Sequence, residues 1–313
     1  MPFKSSPQKF NAAINTVEIG SGDKKIVLGG ECVYPLYAFD APIENKPVVG
    51  IEITDLGVET FADCIKEYYA GATTLGEIAA KAAAAEGASF VTLTFEGADP
   101  IGENKSVEEC VAAAKEVADA IDLPLVICGC GNNEKDVELF NAVSGALEGK
   151  NILVMSAKED TYKTVAASAG LAYGHKVGAE SAVDINLAKQ LNVLIGQVGV
   201  NAANIVMNVG TAAAGYGFEY VVSAMDRIEA AALSQNDNML QMPIITPVGS
   251  QAWGVKESLV SEADMPAWGP QEDRGVNMEV CTAAACLASG SNAVILRHPK
   301  SVATVAAFID ALM

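Results

Sequence analysis

Hydrophobic residues along the chain follow two alternating periods. Eight short runs rich in Val and Ile stand out: Val48–Ile53, Phe90–Phe95, Pro124–Gly129, Asn151–Ala157, His175–Ala179, Asn204–Val209, Pro243–Val248 and Ala293–Arg297. Nearly continuous apolar runs of this length are expected of parallel strands covered on both faces. After each run the period changes to that of a helix. In Phe218–Leu233, for example, Val221, Met225, Ile228 and Ala232 share one face, while Asp226, Arg227 and Glu229 turn away. The other predicted helices are Thr74–Ala85, Val107–Ile121, Lys135–Leu147, Thr161–Leu171, Asp184–Val198, Met278–Ala288 and Ser301–Leu312. Thr74 with Glu77, and Ser106 with Glu109, spell capping boxes at two of the starts. Strand then helix, eight times, predicts an α/β fold of the (β/α)8 TIM barrel type. A doubly wound open sheet is the alternative; the regular count and the closing helix favour the barrel.

Residues 1–45 stand outside this repeat and read as an N-terminal extension, with the barrel in 46–313. Thr16–Ile19 and Lys25–Leu28 flank Ser21-Gly22-Asp23, which predicts a β-hairpin closing the barrel bottom. Pro35, Pro42 and Pro47 mark a loop leading inward. The intervals after strands one, six and seven are long, with extra residues at Leu56–Ala72, Gly210–Gly217 and Ser250–Gly275. They fall at the strands' C-terminal ends, where barrels place function.

The formal net charge of −19 and pI near 4.4 disfavour nucleic acid and anionic membranes as partners. The start MPFKSSPQKF lacks an apolar leader segment. The uncharged stretch Gln190–Phe218 is long enough for a membrane span, but Gln190, Asn192, Gln197, Asn201, Asn204 and Asn208 interrupt it. It reads as a helix followed by a buried strand. The seven cysteines are scattered and include no CxxC pair, so neither zinc nor an iron–sulfur cluster is indicated in this chain. Cys110, Cys281 and Cys286 fall in helical patterns as small core residues. Cys128 and Cys130 alternate at a strand end. Reduced thiols in this number, with no membrane segment, predict a cytoplasmic protein.

Just past the strands lies a polar ring: Thr54, Asp55, Glu96, Gly97, Cys130, Asn132, Lys158, Glu180, Ser181, Asn208, Thr211, Ser250, Gln251, Trp253 and His298. No Ser-His-Asp order, histidine pair with metal spacing, Walker motif or GxGxxG is present, so no catalytic residue and no metal ligand is assigned. Asp55 and Glu96 read either as a carboxylate pair on adjacent strands or as helix caps and partners of lysine. His298, before Pro299, reads as a ligand or proton group, or as a strand-end hydrogen bond; His175 reads as structural. Gly215-Tyr216-Gly217 at a helix start suits a phosphate, a cofactor edge or close packing. Trp253 and Trp268 read as a contact surface or as anchors of their own loop. Lys158 is the nearest candidate for a barrel lyase or aldolase, and it lies just beyond its strand.

Several segments in order resemble a known family. They are Gly215-Tyr-Gly-Phe-Glu-Tyr220, Met225-Asp-Arg-Ile228, Ala230-Ala-Ala-Leu233, Asn238–Pro243, Ala252-Trp253, Lys256-Glu257, Arg274-Gly275, Glu279, Thr282-Ala283 and Arg297-His298-Pro299. With Pro47–Ile53, they resemble the small subunit of the corrinoid/iron–sulfur protein, the delta subunit of the acetyl-CoA synthase/CO dehydrogenase system, over essentially the whole chain. The chain departs from that pattern at Asn208-Val209, where the family has Asp-Pro, and at Met278-Glu279, where it has Trp-Glu.

The resemblance implies a barrel paired with a large subunit that carries the iron–sulfur cluster and a corrinoid domain. The corrinoid (cobamide) would lie at that interface, over the upper face of the barrel. Its methyl group would arrive from a methyltetrahydrofolate methyltransferase and leave to acetyl-CoA synthase/CO dehydrogenase, in the reductive acetyl-CoA (Wood–Ljungdahl) pathway. The expected cofactor-facing residues are Thr54, Asp55, Glu96, Asn132, Asn208, Thr211, Gly215, Gln251 and His298. Val126–Asn132 with the helix after it is also like the third unit of pterin-binding barrels. This leaves a pterin-dependent corrinoid methyltransferase as the alternative.

Overall fold

The computed structural model describes Lys4 and residues 6–313. Ten strands are present among the described residues. β1 (Val17–Ile19) and β2 (Ile26–Leu28) form the antiparallel hairpin. β3 (Val48–Thr54), β4 (Phe90–Thr94), β5 (Leu125–Cys128), β6 (Leu153–Ala157), β7 (Lys176–Glu180), β8 (Ile205–Asn208), β9 (Ile244–Pro247) and β10 (Ser291–Leu296) run parallel. They close into a barrel in the order β10-β3-β4-β5-β6-β7-β8-β9. The barrel reading therefore holds and the open sheet is excluded.

The predicted helices appear at or within a few residues of their expected places. Both capping boxes form: Thr74 and Ser106 accept from the backbone N–H of Glu77 and Glu109, and each Glu reaches back to its cap. The helix expected from Met278 is longer, Gln271–Ser289. Its first two turns are polar and half-exposed, so no apolar stripe announces them. The insertion after β3 contains a short helix, Asp63–Tyr68. The one after β9 contains Lys256–Leu259 and a 3-10 turn at Pro266–Trp268. Gln190–Phe218 resolves into the end of helix Ile185–Val198, strand β8 and a loop. No helix among the described residues is long and apolar enough to cross a membrane.

Two cores result. The larger lies between strands and helices. The smaller fills the barrel interior: Phe90, Val126, Leu153, Met155, Val206, Ile245, Ala293 and Ile295 pack against Val17, Ile19, Ile26 and Leu28 of the hairpin. The hairpin thus packs its side chains against one end of the barrel interior. Asn151, at the start of β6, ties it down by donating to the carbonyls of Glu18 and Gly20 at 3.0 and 2.8 Å. Gly50 is needed in this interior because a Cβ there would sit 2.1 Å from the Phe90 ring. Cys110 and Cys286 are buried as expected, but Cys281 is exposed. Its helix turns that position outward, a correction to its reading as core.

Candidate functional site

The C-terminal ends of the strands open into a polar cavity of about 460 Å³. Arg297, just past β10, stands in its wall. Its Nε donates to Glu52 on β3 at 2.7 Å and its Nη2 to Glu96 after β4 at 3.1 Å. The guanidinium also lies 4.4 Å from the centre of the Phe61 ring. Thr94 donates its hydroxyl to the other oxygen of Glu52, and Thr60 to that of Glu96, both at 2.7 Å. Burial alone would push the guanidinium down, but the flanking carboxylates outweigh it and hold Arg297 protonated. Its backbone is fixed from behind. Buried Glu279, on helix Gln271–Ser289, accepts from the N–H groups of Arg297 (2.6 Å) and His298 (3.2 Å).

Across the mouth, Asn208 on β8 donates to the Ser156 hydroxyl at 3.1 Å and accepts from the Gly210 N–H at 3.0 Å. Asp136 turns inward from the first turn of helix Asn133–Ala146. It accepts from the N–H groups of Cys130 and Gly131 at 2.7 and 3.0 Å. Lys158, Glu180, Ser250 and Gln251 complete the wall. Burial pushes the thiols of Cys128 and Cys130 up, the latter to about 11, so both are protonated near neutral pH. Among the described residues, no group of three or more His, Cys, Asp or Glu side chains is placed to hold a metal ion.

Of the nine residues expected to face a cofactor, Glu96, Asn208 and Gln251 line this cavity. The other six lie off its wall. Thr54 is fully buried and donates to the Gly57 carbonyl. Asp55 accepts from the Gly97 N–H at 2.8 Å and pairs with Lys105 at 3.6 Å. It therefore does not pair with Glu96, which is engaged by Arg297. Asn132 caps its helix by accepting from the Lys135 N–H. Thr211 has its hydroxyl 3.7 Å from the Cys286 sulfur.

Gly215 and Gly217 take left-handed φ of 87° and 86° in the loop before helix Phe218–Glu229, a turn only glycine adopts without strain. His298 caps the last helix, with Nδ1 accepting from the Lys300 N–H, and stacks on Trp253 at 5.7 Å. Burial lowers its pKa to about 4, so it is neutral near pH 7. Trp253 is core, while Trp268 stays half-exposed beneath Lys256 and Arg274.

Glu52, Thr94 and Met155, which a search beyond the strand ends passes over, do line the mouth. So does Arg297, read as the end of the last strand run and within the family motif but not as a site residue. Strand alternation was the available signal. Counting by twos from the interior residues Phe90, Val126, Leu153, Val206, Ile245 and Ala293 reaches Thr94 and Glu96, Cys128 and Cys130, Met155, Asn208, Pro247 and Arg297.

Comparison with solved structures supports the fold. Dihydropteroate synthase from Yersinia pestis with a sulfonamide drug superposes with TM-score 0.56 at 12% identity, covering 85% of this chain and 93% of that one. The Xanthomonas albilineans enzyme with 4-aminobenzoic acid gives TM-score 0.53 at 14% identity, over 95% and 96%. Relatives in sequence are closer. The Methanosarcina acetivorans acetyl-CoA decarbonylase/synthase complex subunit delta 2 is 34% identical over 291 residues, 91% of this chain and 66% of the relative. The Methanothermobacter thermautotrophicus subunit delta of that complex is 33% identical over 302 residues, 96% of this chain and 76% of the relative. The chain thus spans about two thirds of the length of the Methanosarcina relative. The family described as CO dehydrogenase/acetyl-CoA synthase delta subunit matches residues 16–296. The resemblance read from the loops and the relatives agree, and the chain belongs to the CO dehydrogenase/acetyl-CoA synthase delta subunit family.

Proposed function

We propose that this chain is the non-catalytic small subunit of a corrinoid methyl carrier, and that its barrel mouth covers a cobamide held by a large subunit. The methyl donor would be a methyltetrahydrofolate:corrinoid methyltransferase and the acceptor acetyl-CoA synthase/CO dehydrogenase. The observation that carries this reading, beyond family membership, is how the Arg297 cluster and the two thiols of the mouth are held. Arg297 engages both Glu52 and Glu96, and the two thiols are protonated. None of these groups is free to act as nucleophile or general base.

The donor set fits such a group. A corrin is a flat macrocycle edged with amide side chains. Asn208, Gln251, Ser250 and Ser156 offer amides and hydroxyls around the opening. A Cβ at Gly131 would meet nothing within 4 Å, so the backbone there is open to a close approach. A bound cobamide supplies the cobalt that carries the methyl group. The residues of this chain hydrogen-bond its edge and keep water away.

The test is methyl transfer from methyltetrahydrofolate to free reduced cobalamin with the purified chain alone. The expected result is no transfer, together with slower loss of cobamide from the large subunit when this chain is added. Transfer by the chain alone would establish the pterin-dependent methyltransferase instead.

A further inference from the structure

The opposite end of the barrel carries a second hollow, of about 240 Å³, which the corrinoid reading does not use. Tyr34 and Tyr37 of the N-terminal extension form one wall. Asp226, Glu229 and Ala230, at the end of helix Phe218–Glu229, form another, with Ala288 from the end of helix Gln271–Ser289. Glu229 is 3% exposed, and its Oε2 has no hydrogen-bond partner. A carboxylate buried without a partner costs several kcal/mol of hydration, so such groups either stay protonated or receive a cation.

Behind it, buried Glu31 spends one oxygen on the Asn292 amide at 2.7 Å and leaves the other unpartnered. Burial, reinforced by Glu31, pushes the Glu229 carboxyl well up. The cation that would relieve this is not supplied by the chain. No Lys or Arg among the described residues pairs with Asp226, Glu229 or Glu31 within 4.0 Å.

Two further features favour positive charge over a water-filled gap. Helix Gln271–Ser289 presents its C-terminal end here, where the last carbonyls carry partial negative charge. The tyrosine rings stand edge to face, 6.3 Å apart, and Tyr37 is 45% exposed, so aromatic surface is available to an entering cation. We propose that this hollow binds an organic ammonium group, on a free alkylamine or at the tip of a lysine side chain, with Asp226 and Glu229 as counter-ions and the two tyrosines as aromatic walls. A divalent metal does not fit, since no triad of ligating side chains among the described residues is placed to hold one.

Calorimetric titration of the intact chain at about physiological salt, where surface attraction to its net negative charge is screened, tests the assignment. The probes are n-butylammonium and Nα-acetyl-lysine methylamide, with n-butanol as the neutral control. Both amines are expected to bind and butanol not to. The tighter of the two tells a free amine from a lysine side chain. Asp226→Asn and Tyr37→Ala change exposed residues and leave folding intact. Each is expected to weaken binding by about two- to fivefold, and Glu229→Gln by about tenfold. If Glu229→Gln does not fold, the two exposed variants decide. No binding of either amine, equal binding of butanol, or affinity unchanged in both exposed variants would overturn the proposal.

Discussion

His298 gives a sharp thermodynamic prediction. It is 3% exposed, with its ring stacked on Trp253 and Nδ1 committed to the Lys300 N–H. Burial lowers its pKa from 6.5 to about 4; Glu272, 3.5 Å from Nε2, opposes this only in part. The unfolded chain therefore binds a proton that the folded chain refuses between those two values. Stability from this residue is complete above pH 6.5 and declines as pH falls toward 4, where the loss levels off.

The linkage relation gives a loss of about 1.8 kcal/mol between pH 7 and pH 5, and about 2.8 kcal/mol by pH 4. His298→Asn keeps a side chain able to cap the helix and removes the titration. Urea unfolding of both proteins at pH 7, 5.5 and 4.5 isolates the effect. The other titrating groups, including buried Glu31, Glu229 and Glu279, are common to both and cancel in the difference. The stability gap should shift toward the variant by roughly 2 kcal/mol over this range. Parallel pH profiles would refute the account of a buried, neutral imidazole.

Other expectations concern packing and charge. Gly50→Ala would force a methyl against the Phe90 ring inside the barrel. It should cost about 1–3 kcal/mol, read as a lower Tm. Arg297→Met should destabilise by about 3–5 kcal/mol by leaving Glu52 buried and unpaired, and adding Glu52→Gln should restore much of that loss in denaturant titrations. Thiol labelling of the native protein at pH 8 should modify exposed Cys281 first. Cys110 and Cys286, whose pKa values burial raises to about 11 and 12, should react only on unfolding.

The barrel was legible because its strands are nearly pure runs of Val and Ile and its helices carry caps with a fixed spelling. Thr74 with Glu77 and Ser106 with Glu109 fixed two helix starts to within a residue. The start at Gln271 was not legible, because a polar first turn on a surface loop has no period to reveal it. The site was read less well, for a geometric reason. Taking residues just past each strand selects those that cap the next helix, as Asn132 and His298 do. The cavity is walled by part of that polar ring, such as Glu96 and Gln251, together with inward positions near the strand ends that it leaves out, such as Glu52, Thr94 and Met155. The Arg297 contacts to Glu52 and Glu96 join residues more than 200 apart in sequence, and no local pattern announces such a meeting.

The hairpin of Val17–Leu28 closes one end of the barrel with its own side chains. The fold is therefore a cup and not a tube. Whatever enters must leave by the same rim, and a partner resting on that rim would by itself control both residence time and access of solvent.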